Sequence, residues 1–167
     1  MKLLISLCTL VLIFSSCAQR FTLKGSYRDH PYPIPTTKST EETWLQVMDF
    51  LVQEKLTPQL LKKKKSLVVT DYMSFKDTYT VEDAKGALVD STKYVVLPEM
   101  KNGAEPLITA TGYWTIKVHS HKNKTAVTID LSKVTAVYDS KEKTTKLIGN
   151  KVSTGQFEKK LQAFLHK

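Results

Sequence analysis

Two runs of strict alternation constrain this chain more than any other feature. Within residues 107–120 the apolar Trp114, Ile116 and Val118 alternate with Thr115, Lys117 and His119, the period of a strand with one buried face. After a polar stretch from His121 to Lys124 the alternation resumes at Val127, Ile129 and Leu131, and it extends through Val134, Ala136 and Tyr138. Two such runs across a short polar loop predict an antiparallel hairpin. One face is apolar and the other carries Lys, Thr and His, as in a sheet covered on one side only.

Something must cover the apolar face, and the sequence offers two helices. Ser39 and Glu42 have capping-box spacing, and Glu41 and Glu42 place negative charge at the positive end of the helix dipole. Trp44, Val47, Met48 and Leu51 then recur at i, i+3, i+4 and i+7. Pro58 limits this helix to about Leu56, with another turn available in residues 59–64. At the other end, Ser153 and Gln156 again have capping-box spacing, and Phe157, Leu161, Phe164 and Leu165 form a helical stripe that closes with His166 and Lys167.

Between the helices, Leu67, Val68 and Val69 open a strand-like run that passes Tyr72 to Phe75, and residues 93–97 read as another strand stopped by Pro98. Residues 80–89 carry conflicting signals, since Thr80 and Asp83 suit a helix start and Gly86 opposes it. The expectation is therefore an α+β fold: a two-layer domain in which an antiparallel β-sheet is bracketed in sequence by an N-terminal and a C-terminal amphipathic helix.

The N-terminus is of a different kind. Lys2, an apolar stretch from Leu3 to Phe14, and Ser15 and Ser16 before Cys17 form the layout of a secretory signal. The apolar stretch is too short for a helical membrane span, which takes about 20 residues. Phe14, Ser15, Ser16 and Cys17 resemble a lipobox, with Phe14 standing where an aliphatic residue is usual. This reading makes residues 1–16 a lipoprotein signal peptide and Cys17 the lipidated mature terminus. The alternative is ordinary cleavage after Ala18. Cys8 and Cys17 are the only cysteines, so processing leaves no thiol in the body, which excludes disulfides, thiolate metal sites and a cysteine nucleophile there.

The formal charge of +9 loses only that of Lys2 on cleavage. A basic surface favours anionic headgroups, acidic glycans or an acidic protein partner, while export argues against nucleic acid. Residues 17–38 read as a lipid-anchored linker, because Pro31, Pro33 and Pro35 alternate in HPYPIPTTKS and favour extended backbone. Either this stretch is a spacer, or Tyr32 and Ile34 pack onto the body as a first edge segment. Residues 39–167 then form a single domain.

An exported, cysteine-led precursor with a proline-bearing linker and a helix, sheet, helix layout, supported by the strand TGYWTIKVHS and the terminal STGQFE, resembles small bacterial envelope lipoproteins carrying a TATA-box-binding-protein-like or helix-grip domain. The resemblance implies a binding or scaffolding role and supplies no catalytic residues.

Candidate sites are few. Lys62, Lys63, Lys64 and Lys65 are four consecutive cations that either lie against anionic headgroups or form a solvated connector that discourages edge aggregation. Trp44 and Trp114 either line a ligand cavity between helix and sheet or belong to the core. His119 and His121 share a strand face, as surface histidines or as part of a metal site lacking an identifiable further ligand. Ser140 and Lys143 have S-x-x-K spacing without the elements that accompany it in penicillin-binding enzymes. Glu41 with Glu42, and Glu82 with Asp83, are explained by helix starts, and Asn123 heads a formal glycosylation match.

No catalytic residue, metal or cofactor is assigned. The expected function is that of a membrane-anchored envelope lipoprotein, a protein-binding or scaffolding module rather than an enzyme. The alternative is a small-ligand or lipid-binding domain. Ala18 rather than Asp after Cys17, with no acidic residue in 19–27, points to the periplasmic face of the outer membrane.

Overall fold

The computed structural model describes residues 23–28, 31–70, 73–75, 78–98, 109–121, 124–140, 143–149 and 152–167. Residues 1–22, with the stretch expected to be a signal peptide and Cys17, lie outside that set, as does Asn123.

In chain order the elements are strand β1 (Tyr32–Thr36), helix α1 (Thr40–Gln53), β2 (Pro58–Lys62), a 3₁₀ turn (Lys63–Lys65), β3 (Leu67–Thr70), β4 (Met73–Ser74), β5 (Tyr79–Glu82), β6 (Val95–Pro98), β7 (Thr109–His121), β8 (Lys124–Ser140), β9 (Lys143–Gly149) and helix α2 (Gln156–Leu165). The fold is α+β with a mainly antiparallel sheet ordered β1-β8-β7-β3-β2, in which β4 also pairs with β7 and β9 with β8. A separate two-stranded sheet joins β5 and β6 in parallel, from Tyr79 opposite Val95 to Glu82 opposite Pro98.

The expected hairpin forms the centre. β7 and β8 pair from Thr109 opposite Val137 to His121 opposite Lys124. Trp114, Ile116, Val118, Val127 and Ile129 are all buried, while Lys117 on the other face is exposed. One irregularity bends it. Thr111 pairs with Thr135 but Tyr113 with Ser132, so β8 carries one extra residue, and Lys133 adopts a φ of 52°. Such a bulge shifts the parity of the buried face by one, which is why burial runs Val127, Ile129, Leu131 and then Val134, Ala136. Opposite the bulge, a Cβ on Gly112 would come within 2.8 Å of the Phe75 ring and 3.2 Å of the Ser132 carbonyl oxygen, so only glycine admits that close approach.

α1 begins as its sequence dictates. The Ser39 side chain accepts from the Glu42 N–H, and Glu42 Oε2 accepts from the Ser39 N–H at 2.9 Å, a complete capping box. The Ser39 hydrogen bonds hold the Glu42 carboxyl below the ordinary range. Trp44, Val47, Phe50 and Leu51 are buried.

Three expectations need correction. The helices do not bracket the sheet, because β1 precedes α1 and pairs with β8 from Tyr32 opposite Ile129 to Thr36 opposite Thr125. Residues 32–36 are therefore not a spacer; Ile34 is fully buried. The alternating prolines fit this role. Residues of one parity turn their N–H groups outward on an edge strand, so Pro33 and Pro35 remove donors that had no partner to meet. Residues 58–62, in the stretch assigned another helical turn, form a strand instead, because β3 supplies an open partner edge. And residues 79–82 form β5 rather than a helix start.

α2 differs only at its cap. Gly155 is the N-cap, with φ 84°. Ser153, expected to cap it, instead accepts from the Gly155 N–H at 3.0 Å and donates to Glu158 Oε1 at 2.7 Å.

Candidate functional site

The two tryptophans belong to the core. Phe157, on the first turn of α2, stacks on Trp114 with ring centroids 4.1 Å apart and planes 14° from parallel, and meets Phe50 edge-on at 5.5 Å and Tyr94 at 5.6 Å. Offset-stacked and edge-on contacts at these separations are favourable ring geometries. Trp44 is 6% exposed and belongs to the same apolar cluster. Both residues hold the helices to the sheet.

Acidic groups hold the periphery together. Glu82, assigned by its sequence context to a helix start, is buried on β5 and receives the Lys24 N–H at 2.6 Å, the Gly25 N–H at 2.9 Å and the Tyr27 hydroxyl. Burial alone would raise its carboxyl, but the Tyr27, Lys24 and Gly25 donors outweigh that and hold it below the ordinary range. Tyr27 is pushed far up, first by burial and then by the hydrogen bond and charge of Glu82. The next link is backbone, from the Arg28 N–H to the Ser153 carbonyl at 3.2 Å. Residues 152–154 in turn run beside β6, with the Val96 N–H donating to Val152 O and the Thr154 N–H to Tyr94 O. Glu54, at the end of α1, accepts from Tyr94 Oη at 3.0 Å and from Lys160 Nζ at 3.0 Å, which ties α1 to α2.

The fastened N-terminal segment borders a surface cleft of about 370 Å³ lined by Ser26, Tyr27, Arg28, Tyr32 and Thr154. The Arg28 guanidinium lies 4.2 Å from the Tyr32 ring centroid, occupying one wall rather than reaching into the cleft as a free cation. The cleft lies outside the helix-to-sheet interface where the tryptophans suggested a pocket.

The opposite part of the molecule has a different character. All five residues of β2 are exposed, Leu60 at 38% and Leu61 at 51%. Leu61 pairs with the buried Val68 and so shares its face, yet sits beyond the cover of the helices. Among the described residues no strand pairs with the outer edge of β2. The strand ends at Lys62, and Lys63, Lys64 and Lys65 form the turn into β3, closed by Ser66 in the left-handed region at φ 45°. The Val118 N–H donates to Ser66 O at 2.8 Å, which sets this turn beside the tip of the β7–β8 hairpin.

The same end of the sheet gathers more cations. Thr36, two residues before Lys38, pairs with Thr125, and Lys124 begins β8. His166 Nε2 approaches the Pro35 carbonyl at 3.3 Å, which brings Lys167 there as well. Glu41 and Glu42 lie on the first turn of α1, which follows Lys38. His119 lies on this end beside Thr128, 3.5 Å from its hydroxyl; the His121 side chain lies outside the described set. Asp130 pairs across β7 with Thr115 rather than with His119, and among the described residues no group of three metal-ligating side chains converges. Ser140 and Lys143 face each other at the turn of the β8–β9 hairpin, and their side chains are likewise outside the described set.

The four-lysine run was visible in the sequence, but the edge that makes it a candidate surface was not. Leu60 and Leu61 looked like the tail of a helix. Their signal was their position between Pro58, which opposes any continued helix, and the lysine run. No helix is long and apolar enough to cross a membrane among the described residues. Compared with known family models and with curated proteins, the chain matches none.

Proposed function

We propose that this chain is a lipid-anchored envelope protein whose domain binds another protein through the β2 edge and its lysine turn. The observation that carries this reading is an apolar edge strand, exposed over its whole length and ending in four cations, on a body whose aromatic core is occupied by its own side chains. Exposed apolar surface rimmed by charge is the usual mark of a protein-binding face. The sequence from Lys2 to Cys17 supports the anchor, with acylated Cys17 at the mature terminus and the periplasmic face of the outer membrane as its place.

Two measurements test this function. Mass spectrometry of the N-terminal peptide should find acylated Cys17; an unmodified Ala18 or Gln19 terminus would remove the anchor. A photo-crosslinking residue at Leu61 should capture one reproducible protein in intact cells, and the same residue at Lys159, exposed on α2, should not. Equal, diffuse labelling from both positions would overturn the binding role.

A further inference from the structure

We infer that the partner is an acidic, extended segment that adds to the sheet as a strand along the outer edge of β2. The inference rests on the binding role proposed above and names what that site takes.

Two observations carry it, and a third fixes what its test must separate. The first is the backbone. β2 is an edge strand whose inner side is paired with β3 from Pro58 opposite Thr70 to Lys62 opposite Leu67, and no described strand meets its outer side. An open edge of this kind is a template for strand addition, in which main-chain hydrogen bonds supply affinity and side chains supply selectivity. On the opposite side of the sheet, β1 is closed to that use because it carries Pro33 and Pro35, and the rest of that side is formed by β9, whose lysines and threonines offer an acidic strand less apolar contact.

The second is chemistry. Leu60 and Leu61 point to opposite faces of β2 and both remain exposed, so an added strand finds an apolar neighbour on either face. Lys55 before β2 and Lys62, Lys63, Lys64 and Lys65 after it are all exposed, and charge of one sign at both ends of the edge selects an acidic strand.

The third is placement. Lys24, Gly25, Tyr27 and Arg28 are fastened to Glu82 and Ser153, where α2 begins. The lysine turn lies at the end where α2 finishes, His166 being at Pro35, in the strand that pairs toward the β7–β8 tip. The ten residues of α2 separate the two ends by about 15 Å at ~1.5 Å per residue. Five residues lie between Cys17 and Leu23, and an extended chain of that length reaches roughly 20 Å. That reach exceeds the separation, so the anchoring membrane stays within range of the lysine turn, and the vesicle arm of the test separates a lipid surface from a protein partner.

The test uses the full mature chain in detergent micelles, with a peptide of alternating valine and glutamate as probe, followed by backbone amide shifts and hydrogen exchange. Binding should slow exchange at the β2 amides, weaken with added salt, and fall roughly tenfold or more when Lys62→Gln, Lys63→Gln, Lys64→Gln and Lys65→Gln are combined. A valine–lysine peptide should not bind. These four side chains are exposed, so the variant keeps its fold, and its unperturbed amide spectrum serves as the check. Shifts at the lysines without protection of β2 would reduce the site to non-specific charge attraction and overturn strand addition. Binding to phosphatidylglycerol vesicles with none to the peptide would make the surface a lipid site and overturn it too. So would dimerisation of the chain through β2, or absence of any binding. If the peptide fails while crosslinking from Leu61 still captures one protein, the binding role stands and strand addition falls; if both fail, both fall.

Discussion

Two edge strands of the one sheet, β1 and β2, are finished in opposite ways. β1 is short, carries two prolines, buries Ile34 and Thr36, and lies under α2, whose His166 reaches its Pro35 carbonyl. β2 is equally short, yet every residue is exposed and its apolar side chains face solvent. Edges left open invite unwanted pairing, and proline and lysine are two common ways to discourage it. Here proline blocks one edge by removing donors, while the lysines flank the other and leave its backbone able to pair. One edge serves the stability of the fold. The other is free to serve an interaction.

The sharpest way to break that contrast is to truncate an equivalent apolar residue on each edge. Ile34→Ala should destabilise the protein by about 2 to 5 kcal/mol, the range for deleting a fully buried large aliphatic side chain. Leu61→Ala, at an exposed position, should stay within about 0.5 kcal/mol. Urea unfolding followed by tryptophan fluorescence measures both, since Trp114 reports on the core. Similar losses at the two sites would mean that β2 is part of the stability core and is not spared for a partner.

The fastening of the N-terminal segment separates the two ends next. Gly155 sits at φ 84°, and a Cβ there would approach Arg28 Nε to 2.7 Å. Gly155→Ala should therefore cost about 1 to 3 kcal/mol through backbone strain and displacement of Arg28. Limited proteolysis should then cut within residues 23–31 while amide spectra of β2 and β3 stay unchanged. Parallel changes at both ends would show that the ends are coupled.

Glu82 gives the same segment a pH dependence. Its folded carboxyl lies below the ordinary value, so it contributes stability above the unfolded pKa that is lost as pH falls through the folded one. Below about pH 4, near the unperturbed range of a glutamate, amide exchange at Lys24 and Gly25 should accelerate ahead of the sheet. Glu82→Gln should remove that dependence and cost about 1 to 3 kcal/mol at neutral pH, since it weakens a buried acceptor of three hydrogen bonds. An unchanged acid profile in the variant would assign the transition to another group.

Much of this architecture was legible in the sequence where one local signal acted alone. The Ser39 and Glu42 capping box, the Phe157, Leu161 and Leu165 stripe and the β7 alternation each depend on neighbours within one element, and each is found in the structure. Even the bulge left a trace. The apolar positions of β8 change parity between Leu131 and Val134, a slip that a strand absorbs only by adding a residue. What was not legible depends on distant partners. Prolines at 31, 33 and 35 suit a spacer and an edge strand equally, and only β8 decides between them. Glu82 reads as a helix start until Lys24, Gly25 and Tyr27 arrive from far along the chain. β9, rich in Lys and Thr, has too little apolar periodicity to announce itself, and forms because β8 extends far enough to template it. The candidate surface failed to show for the same reason: the lysine run was plain, while the openness of β2 is a property of the finished sheet.

The smallest expected effect lies at the junction that delivers the chain to the open edge. α1 ends with the Leu56 N–H donating to Leu51 O at 2.8 Å and Lys55 at φ 56°, the left-handed closure that glycine usually supplies. A lysine there carries a steric cost that glycine avoids, partly offset by glycine's greater freedom when unfolded. Lys55→Gly should therefore stabilise the fold by a few tenths to about 1 kcal/mol, seen as a rise in the urea midpoint with unchanged slope. If β2 recruits an acidic strand, the same change should weaken binding of the valine–glutamate peptide slightly, because one of the flanking cations is gone. A chain that gains stability and loses affinity in a single substitution would place Lys55 with the lysine turn, retained at a strained position for what it meets rather than for how it folds. Stability and affinity rising together would remove Lys55 from the surface and confine the charge selection to Lys62, Lys63, Lys64 and Lys65.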